Sequence, residues 1–307
     1  MALALILSGC TGLFRLGGEG SVSGVVTVDG LPPGPVNVEV VARGTRFRTG
    51  ADGATGVFKL DGLPPGRYQI ATQGRGVAET VVPVTLRRGA HISGIELHTY
   101  YLPPLPVTFT FDDPADARLL EPFHGAPFQL MQDPDGNWAY YLDGGEITIP
   151  EGAAGAYRYA LLKYPNLDTF ALEVDVRGGL TSSQAKNVAL IFGWVDPENY
   201  YYVFLSDTSA TRVARVRDGS AGSAQYLNQP GVTNLWLSDR DRYQTIRLEV
   251  TRFGATVNVK VYVNGVHLDV LDTEIPANEY KAGRIGIGTY NSHVQSAFFD
   301  NVYIVEL

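Results

Sequence analysis

The chain has 307 residues, of which 45% are hydrophobic and 18% charged, and its formal net charge is −8. This length is enough for two domains, and this balance excludes both a disordered chain and a bundle of membrane helices. The negative charge argues against binding to nucleic acid, which needs a concentrated basic surface. Abundant Gly, Pro and Tyr (35, 18 and 17 residues) indicate short strands joined by tight turns.

The first ten residues form an apolar run that ends in Cys10, the only cysteine of the chain. One thiol cannot make an intrachain disulfide and is too few for a cysteine-based metal site. The run is also too short to span a bilayer, which takes about 20 apolar residues. The tetrapeptide LSGC that ends at Cys10 resembles the lipobox of bacterial lipoproteins, in which the cysteine is acylated. The resemblance implies an exported protein with a lipid anchor at Cys10, in the outer membrane if the cell is Gram-negative. An inert thiol in an ordinary apolar N-terminus is the alternative.

Residues 1–20 are therefore predicted to be a signal remnant and tether, and residues 21–99 a small domain. In the latter, apolar and polar side chains alternate, which predicts the strands SVSGVVTVDG, VNVEVVA, GVFKL, GRYQIAT, TVVPVTL and HISGIEL. The hexapeptide DGLPPG occurs at Asp29–Gly34 and Asp61–Gly66. Each copy predicts a type II turn, with the final glycine at positive φ.

The segments GVVTVDG, ADGATGVFKL and GLPPGRYQI resemble the carboxypeptidase regulatory-like β-sandwich of the transthyretin or Cna-B type. This resemblance implies a spacer or stalk, and it carries over no catalytic residue. Residues 100–106 contain three prolines and are predicted to be a semi-rigid linker.

Residues 107–307 are predicted to be a second domain, again built almost entirely of strands. Asn264–Gly265, between two alternating runs, predicts a tight hairpin. So many antiparallel strands in one domain favour a large two-sheet sandwich. The strands are predicted at VTFTF, NWAYYL, EITIP, FALEVDVR, NVALIFGW, YYYVFLS, TRVARVRD, YQTIRLEVTR, TVNVKVYV, VHLDVLD, GRIGIGTY and FFDNVYIVEL.

The segments FTFDD, NWAYYLDGGEITIP, LIFGWVDPENYYYVFL and GRIGIGTYNSHVQSAFFDNVYI resemble the concanavalin A-like (laminin G-like) jelly roll. More narrowly, they resemble the 3-keto-disaccharide hydrolases and their non-catalytic relatives. The predicted fold is all-β: a small β-sandwich followed by a larger two-sheet concanavalin A-like jelly roll. This architecture hosts both enzymes and lectins, so it leaves the activity open.

An aromatic cluster follows the turn at residues 196–199. Tyr200 and Tyr202 share one face of a predicted strand, while Tyr201 points to the other, and Trp194 ends the preceding strand. Tyr and Trp rings stack on the apolar faces of sugars, although a large sandwich also uses such rings in its core. The predicted glycan-binding residues are Trp194, Tyr200, Tyr202, Trp236, Tyr290 and Asn291.

Glu173 and Asp175 are the sharpest catalytic candidates, because a strand points both to one face. Retaining glycosidases use two carboxyl groups about 5–5.5 Å apart. Glucanases of the superfamily use a Glu-x-Asp-x-x-Glu strand, but the second glutamate would fall at Gly178. A polar outer face, with Leu172, Val174 and Val176 in the core, is therefore the favoured interpretation. Of the five histidines, only His293 is kept as a site candidate.

No cofactor is established by the sequence, but a structural calcium is one alternative. Asp112 near the first strand and Asp300 on the last strand are the candidate ligands, because first and last strands often pair in jelly rolls and Ca²⁺ takes carboxylate oxygens. DPDGN at residues 133–137 resembles half of a calcium loop. Ordinary Asx-turn hydrogen bonding explains the same residues more simply.

The predicted protein is thus an exported, lipid-anchored surface protein that binds a glycan without cleaving it. One alternative is a glycoside-acting hydrolase of the 3-keto-disaccharide type. The other is a structural component of the cell surface that binds protein partners, since unpaired strand edges recruit other chains.

Overall fold

The computed structural model describes residues 18–29, 37–74, 76–123, 128–143, 158–164, 167–179, 187–206, 211–217, 224–228, 241–289 and 296–307. The chain divides into two compact units between Tyr101 and Leu102, inside the segment 100–106 that is predicted to be a linker. Both units are built from strands, as the alternating sequence predicts. Among the described residues, no helix has the length and apolar character that crossing a bilayer demands.

The N-terminal unit is a small β-sandwich. One sheet has the order β4-β1-β7, with β1 and β7 parallel, and the other has the order β3-β2-β5-β6. Val22, Leu60 and Leu97 of the first sheet and Val40 and Ile70 of the second are at most 1% exposed and form one core. The strands are β1 (Gly20–Asp29), β2 (Glu39–Ala42), β3 (Arg48–Gly50), β4 (Val57–Leu63), β5 (Gly66–Gln73), β6 (Val81–Leu86) and β7 (His91–Tyr100).

The second DGLPPG copy connects β4 to β5, but the predicted position of its positive φ is wrong. Gly66 already belongs to β5, where it pairs with Leu86 in extended conformation. The positive φ falls instead on Gly62, at 75°. Of the first copy, only Asp29 lies within the described residues.

The C-terminal unit contains the remaining strands and two short helices. The strands are β8 (Val107–Phe109), β9 (Leu120–Phe123), β10 (Phe128–Gln132), β11 (Trp138–Leu142), β12 (Arg158–Leu162), β13 (Phe170–Gly178), β14 (Asn187–Asp196), β15 (Asn199–Ser206), β16 (Arg212–Val216), β17 (Gln225–Tyr226), β18 (Gln244–Phe253), β19 (Thr256–Val263), β20 (Val266–His267), β21 (Thr273–Pro276), β22 (Arg284–Thr289) and β23 (Ala297–Glu306). The helices are α1 (Pro114–Ala117) and a 3-10 turn (Asp269–Leu271).

These strands form the predicted two-sheet jelly roll. Within the described residues, a nine-stranded sheet has the order β10-β11-β23-β13-β18-β19-β20, with β8 on β23 and β21 on β19. A seven-stranded sheet has the order β17-β16-β15-β14-β22-β12-β9. Leu172 and Leu248 of the larger sheet and Leu190 and Ile287 of the smaller are fully buried, as inward positions of a sandwich must be.

The predicted Asn264–Gly265 hairpin is confirmed, since β19 and β20 pair and both turn residues have positive φ (50° and 76°). The predicted strand VHLDVLD is wrong beyond His267. There the chain turns into the 3-10 helix, which brings Leu268 and Leu271 to one side and buries both. The predicted strand EITIP lies outside the described residues.

Candidate functional site

A β-bulge at Gly193 determines where Trp194 points. In the pairing of β14 with β22, Ile191 faces Gly286, and the register then shifts so that Trp194 faces Arg284. Gly193 has a φ of 54°, and a Cβ on Gly283 would lie 2.4 Å from the Trp194 amide nitrogen. Bulges of this kind redirect side chains. Trp194 consequently packs on the same sheet face as Tyr200 and Tyr202.

Five aromatic side chains meet there, and we call Phe123, Tyr159, Trp194, Tyr200 and Tyr202 the aromatic face. Phe123 stacks on Tyr159 with 5.2 Å between ring centroids and meets Trp194 edge-on at 5.5 Å. Tyr159 lies 5.9 Å from Tyr200, which lies 6.1 Å from Tyr202. The Trp194 Nε1–H donates to the Tyr159 hydroxyl over 3.1 Å. Three of the predicted ligand-binding residues are thus brought together.

Tyr201 points to the opposite face, as the strand period predicts. Its ring stacks on Phe192 at 5.4 Å and lies 5.7 Å from Tyr280, which follows β21 of the nine-stranded sheet. Its hydroxyl donates to the Glu279 carbonyl. The aromatic face is therefore the side of the seven-stranded sheet that points away from the core between the sheets.

Burial divides the aromatic face into two parts. Tyr159, Tyr200 and Tyr202 are 1%, 3% and 0% exposed, whereas Trp194 and Phe123 are partly exposed. Burial also raises the pKa of the Tyr159 hydroxyl. A sugar ring cannot stack on a covered side chain, so the part of the face within reach of a ligand is its end at Trp194.

Charged groups surround that end. The Arg284 guanidinium lies over the indole of Trp194, with Cζ 5.7 Å from the ring centroid. Its Nη2 is 2.8 Å from a carboxylate oxygen of Glu121 on β9. Lys163 directly follows β12, and the charges of Glu121 and Arg284 both act on its amine. Sugars present hydroxyls around an apolar ring face, so an aromatic ring beside charged hydrogen-bonding groups matches their chemistry.

Sequence reasoning missed Phe123, Tyr159, Arg284 and Glu121 as parts of this site. Strands β9 and β12, which carry Glu121, Phe123 and Tyr159, were not among the predicted strands. Of the other sequence-predicted residues, Cys10, Trp236, Tyr290, Asn291 and His293 lie outside the described residues.

Glu173 and Asp175 do not belong to the aromatic face, because they lie on the nine-stranded sheet. A carboxylate oxygen of Glu173 is 3.4 Å from Nη1 of Arg247, and Asp175 accepts from the Thr245 hydroxyl over 2.5 Å. Their neighbours Leu172 and Val174 are fully buried. The favoured interpretation, a polar outer face alternating with core residues, is confirmed.

The two calcium candidates interact electrostatically. Asp300 is 9% exposed, and burial raises its pKa to about 6, with further contributions from the negative charges of Asp175, Asp112 and Asp133. Asp133 accepts from the backbone amides of Asp135 and Asn137, which is ordinary turn hydrogen bonding. Over the described part of the chain, no three His, Cys, Asp or Glu side chains are grouped to hold a metal. Calcium binding stays a prediction.

No protein-family model and no curated protein matches the chain. Solved structures with a similar fold include a CBM66 carbohydrate-binding module from Bacillus subtilis, at 15% identity over 58% of this chain and 92% of that one, with a TM-score of 0.40. A legume lectin-like domain from Entamoeba histolytica is 13% identical over 66% and 97% of the two chains, with a TM-score of 0.44. A β-glucanase from Bacillus licheniformis is 14% identical over 66% and 100%, with a TM-score of 0.39. Sequence identities and TM-scores this low show nothing about the ligand or the activity of this chain.

Proposed function

We propose that the C-terminal domain binds a glycan at the Trp194 end of the aromatic face, without cleaving it. The observation that carries this proposal is the partly exposed Trp194, set between a buried aromatic cluster and the charged pair Arg284–Glu121. The cluster holds the indole in one orientation, and a preorganised ring loses little entropy when a sugar stacks on it. Arg284 supplies hydrogen-bond donors for sugar hydroxyls.

The carboxylates near Trp194 already have partners within the protein, which supports binding of a glycan rather than its cleavage. A retaining glycosidase needs a nucleophile and an acid on either side of the scissile bond. Glu121 is paired with Arg284 across 2.8 Å. Asp196 accepts from the Glu198 amide and the Asn199 side chain, so its carboxylate is occupied by its own turn. Glu173 and Asp175 belong to the other sheet.

The remaining parts of the chain fit a surface protein. We propose that Cys10 carries the lipid anchor, that the small β-sandwich acts as a spacer, and that the glycan-binding domain is held away from the membrane. This assignment rests on the LSGC sequence and on the division of the chain at Tyr101.

Glycan-array binding by the full chain and by two variants tests the proposal. Trp194→Ala is expected to lose binding, whereas Trp138→Ala, at a 44% exposed position of the nine-stranded sheet, is expected to keep it. Melting curves of both variants check that the fold is intact. Equal binding by the two variants would reject Trp194 as the site, and absence of binding to every glycan would reject the function. Release of reducing ends from a bound glycan would favour a hydrolase instead.

A further inference from the structure

The charges beside Trp194 differ from the charge of the whole protein. The chain as a whole carries a net charge of −8. Among the described residues at this end of the aromatic face, however, the two cations Arg284 and Lys163 both interact with the Glu121 carboxylate. The carboxylate of Asp196, a second described acid in this region, accepts hydrogen bonds from its own turn.

Arg284 is held in place independently of Glu121. Its Nε donates to the Leu162 carbonyl over 3.1 Å, and its Nη2 donates to the Leu161 carbonyl over 3.3 Å. The Trp194 ring lies against the same guanidinium. These contacts keep the guanidinium oriented when its carboxylate partner changes, and a guanidinium forms strong charge-assisted hydrogen bonds with carboxylates.

Glu121, in contrast, is easily displaced. It lies on β9, the last strand of the seven-stranded sheet within the described residues, and its side chain is 52% exposed. Exposed ion pairs contribute little to stability, because water competes for both partners. A carboxylate from solution can therefore take the place of Glu121 at small cost.

Lys163 adds to the attraction for an anion. Burial lowers the pKa of its amine, and the positive charge of Arg284 lowers it further, while Glu121 opposes both effects. An additional negative charge at this position would stabilise the protonated amine.

We propose that the site is specific for acidic glycans, and that Glu121 occupies the place of the carboxylate of a uronic acid. This inference rests on the proposed function and adds the ligand class. In the complex, the uronate carboxylate pairs with Arg284 and lies near Lys163, and the pyranose ring contacts Trp194. Glu121 then acts as an internal competitor that weakens binding.

The test compares oligogalacturonate with its methyl ester, which has the same sugar backbone without the charge. The wild-type chain is expected to bind the acid about tenfold more tightly than the ester, and to lose this preference when salt is raised from about 50 to about 500 mM. Glu121→Gln is expected to bind the acid several-fold more tightly. Glu274→Gln, an exposed position on β21 of the other sheet, should change nothing.

Arg284→Gln is expected to abolish the preference for the acid. Unchanged or weaker binding of the acid by Glu121→Gln would overturn the inference, as would equal wild-type binding of the acid and the ester. Equally tight binding of a sulfated glycan would overturn the assignment to carboxylates. If neutral glycans bind in a Trp194-dependent way without any preference for charge, the proposed function stands and this inference fails. If no glycan binds, both fail.

Discussion

The guanidinium of Arg284 lies over the indole ring of Trp194, and the two residues face each other directly across strands β22 and β14. This pair joins the aromatic cluster to the charged groups of the site. A cation over an aromatic face is attracted by the ring's quadrupole, which favours one orientation of both side chains. The pair exists only because the bulge at Gly193 places Trp194 opposite Arg284.

Gly283→Ala should disrupt this arrangement. The new Cβ would lie 2.4 Å from the Gly193 carbonyl carbon and from the Trp194 amide nitrogen, so the bulge would have to move. We expect the free energy of unfolding to fall by about 1–3 kcal/mol, as for other overpacked sites. Urea denaturation measures this change. Gly50→Ala is the matched control, because a Cβ at Gly50 meets nothing within 4 Å. Equal stability of the two variants would show that the close approach at Gly283 is unimportant.

The raised pKa of Asp300 predicts a loss of stability as the pH increases. In the folded chain this pKa is about 6, above the ordinary value of 3.8, so the folded state holds the proton over a pH range in which the unfolded state has released it. Between pH 4 and 6, this group therefore makes stability fall as the pH rises, by on the order of 1–2 kcal/mol.

Asp300→Asn should remove that dependence and raise stability at pH 7. Its amide oxygen can still accept from the Asn301 backbone amide, as the Asp300 carboxylate does. Urea denaturation at several pH values, in buffer with a chelator, provides the comparison. A wild-type and a variant curve that run parallel from pH 4 to 7 would contradict the assignment.

Calcium binding, predicted from Asp112 and Asp300, should offset the loss of stability that ionised Asp300 causes at pH 7. A bound cation stabilises the ionised carboxylates and raises the melting temperature with concentration, because it binds the folded state alone. We expect calcium to stabilise the wild-type chain at pH 7 and to leave Asp300→Asn unaffected. Identical melting of the wild-type chain in calcium and in chelator would argue that these aspartates serve turns and packing only.

Acylation at Cys10 is testable in cells. The lipobox resemblance predicts that the chain incorporates labelled palmitate and sediments with membranes. Cys10→Ser should abolish both properties, while Ser8→Ala, which keeps a small residue before the cysteine, should preserve them. Palmitate incorporation by Cys10→Ser would place the lipid elsewhere or reject the lipobox.

Local periodicity predicted most of the strands, because alternation of apolar and polar residues is a property of neighbouring positions. The strand around Glu173 shows this alternation: Leu172 and Val174 are buried in the core, and the Glu173 side chain points outward. Short strands with little alternation, such as β9 and β12, escaped prediction. The predicted strand after His267 was also wrong, because the chain forms a 3-10 helix there that buries Leu271.

From its sequence alone, this protein is an all-β chain of two sandwiches with an aromatic cluster near Trp194, because strand period, turn residues and composition are readable from adjacent positions. The tertiary structure decided which residues meet that tryptophan. Strand order brings Phe123, Tyr159 and Arg284 to it from distant parts of the chain, and it covers Tyr200 and Tyr202 while leaving Trp194 partly exposed. Such contacts depend on sheet order and on a bulge that no local pattern encodes.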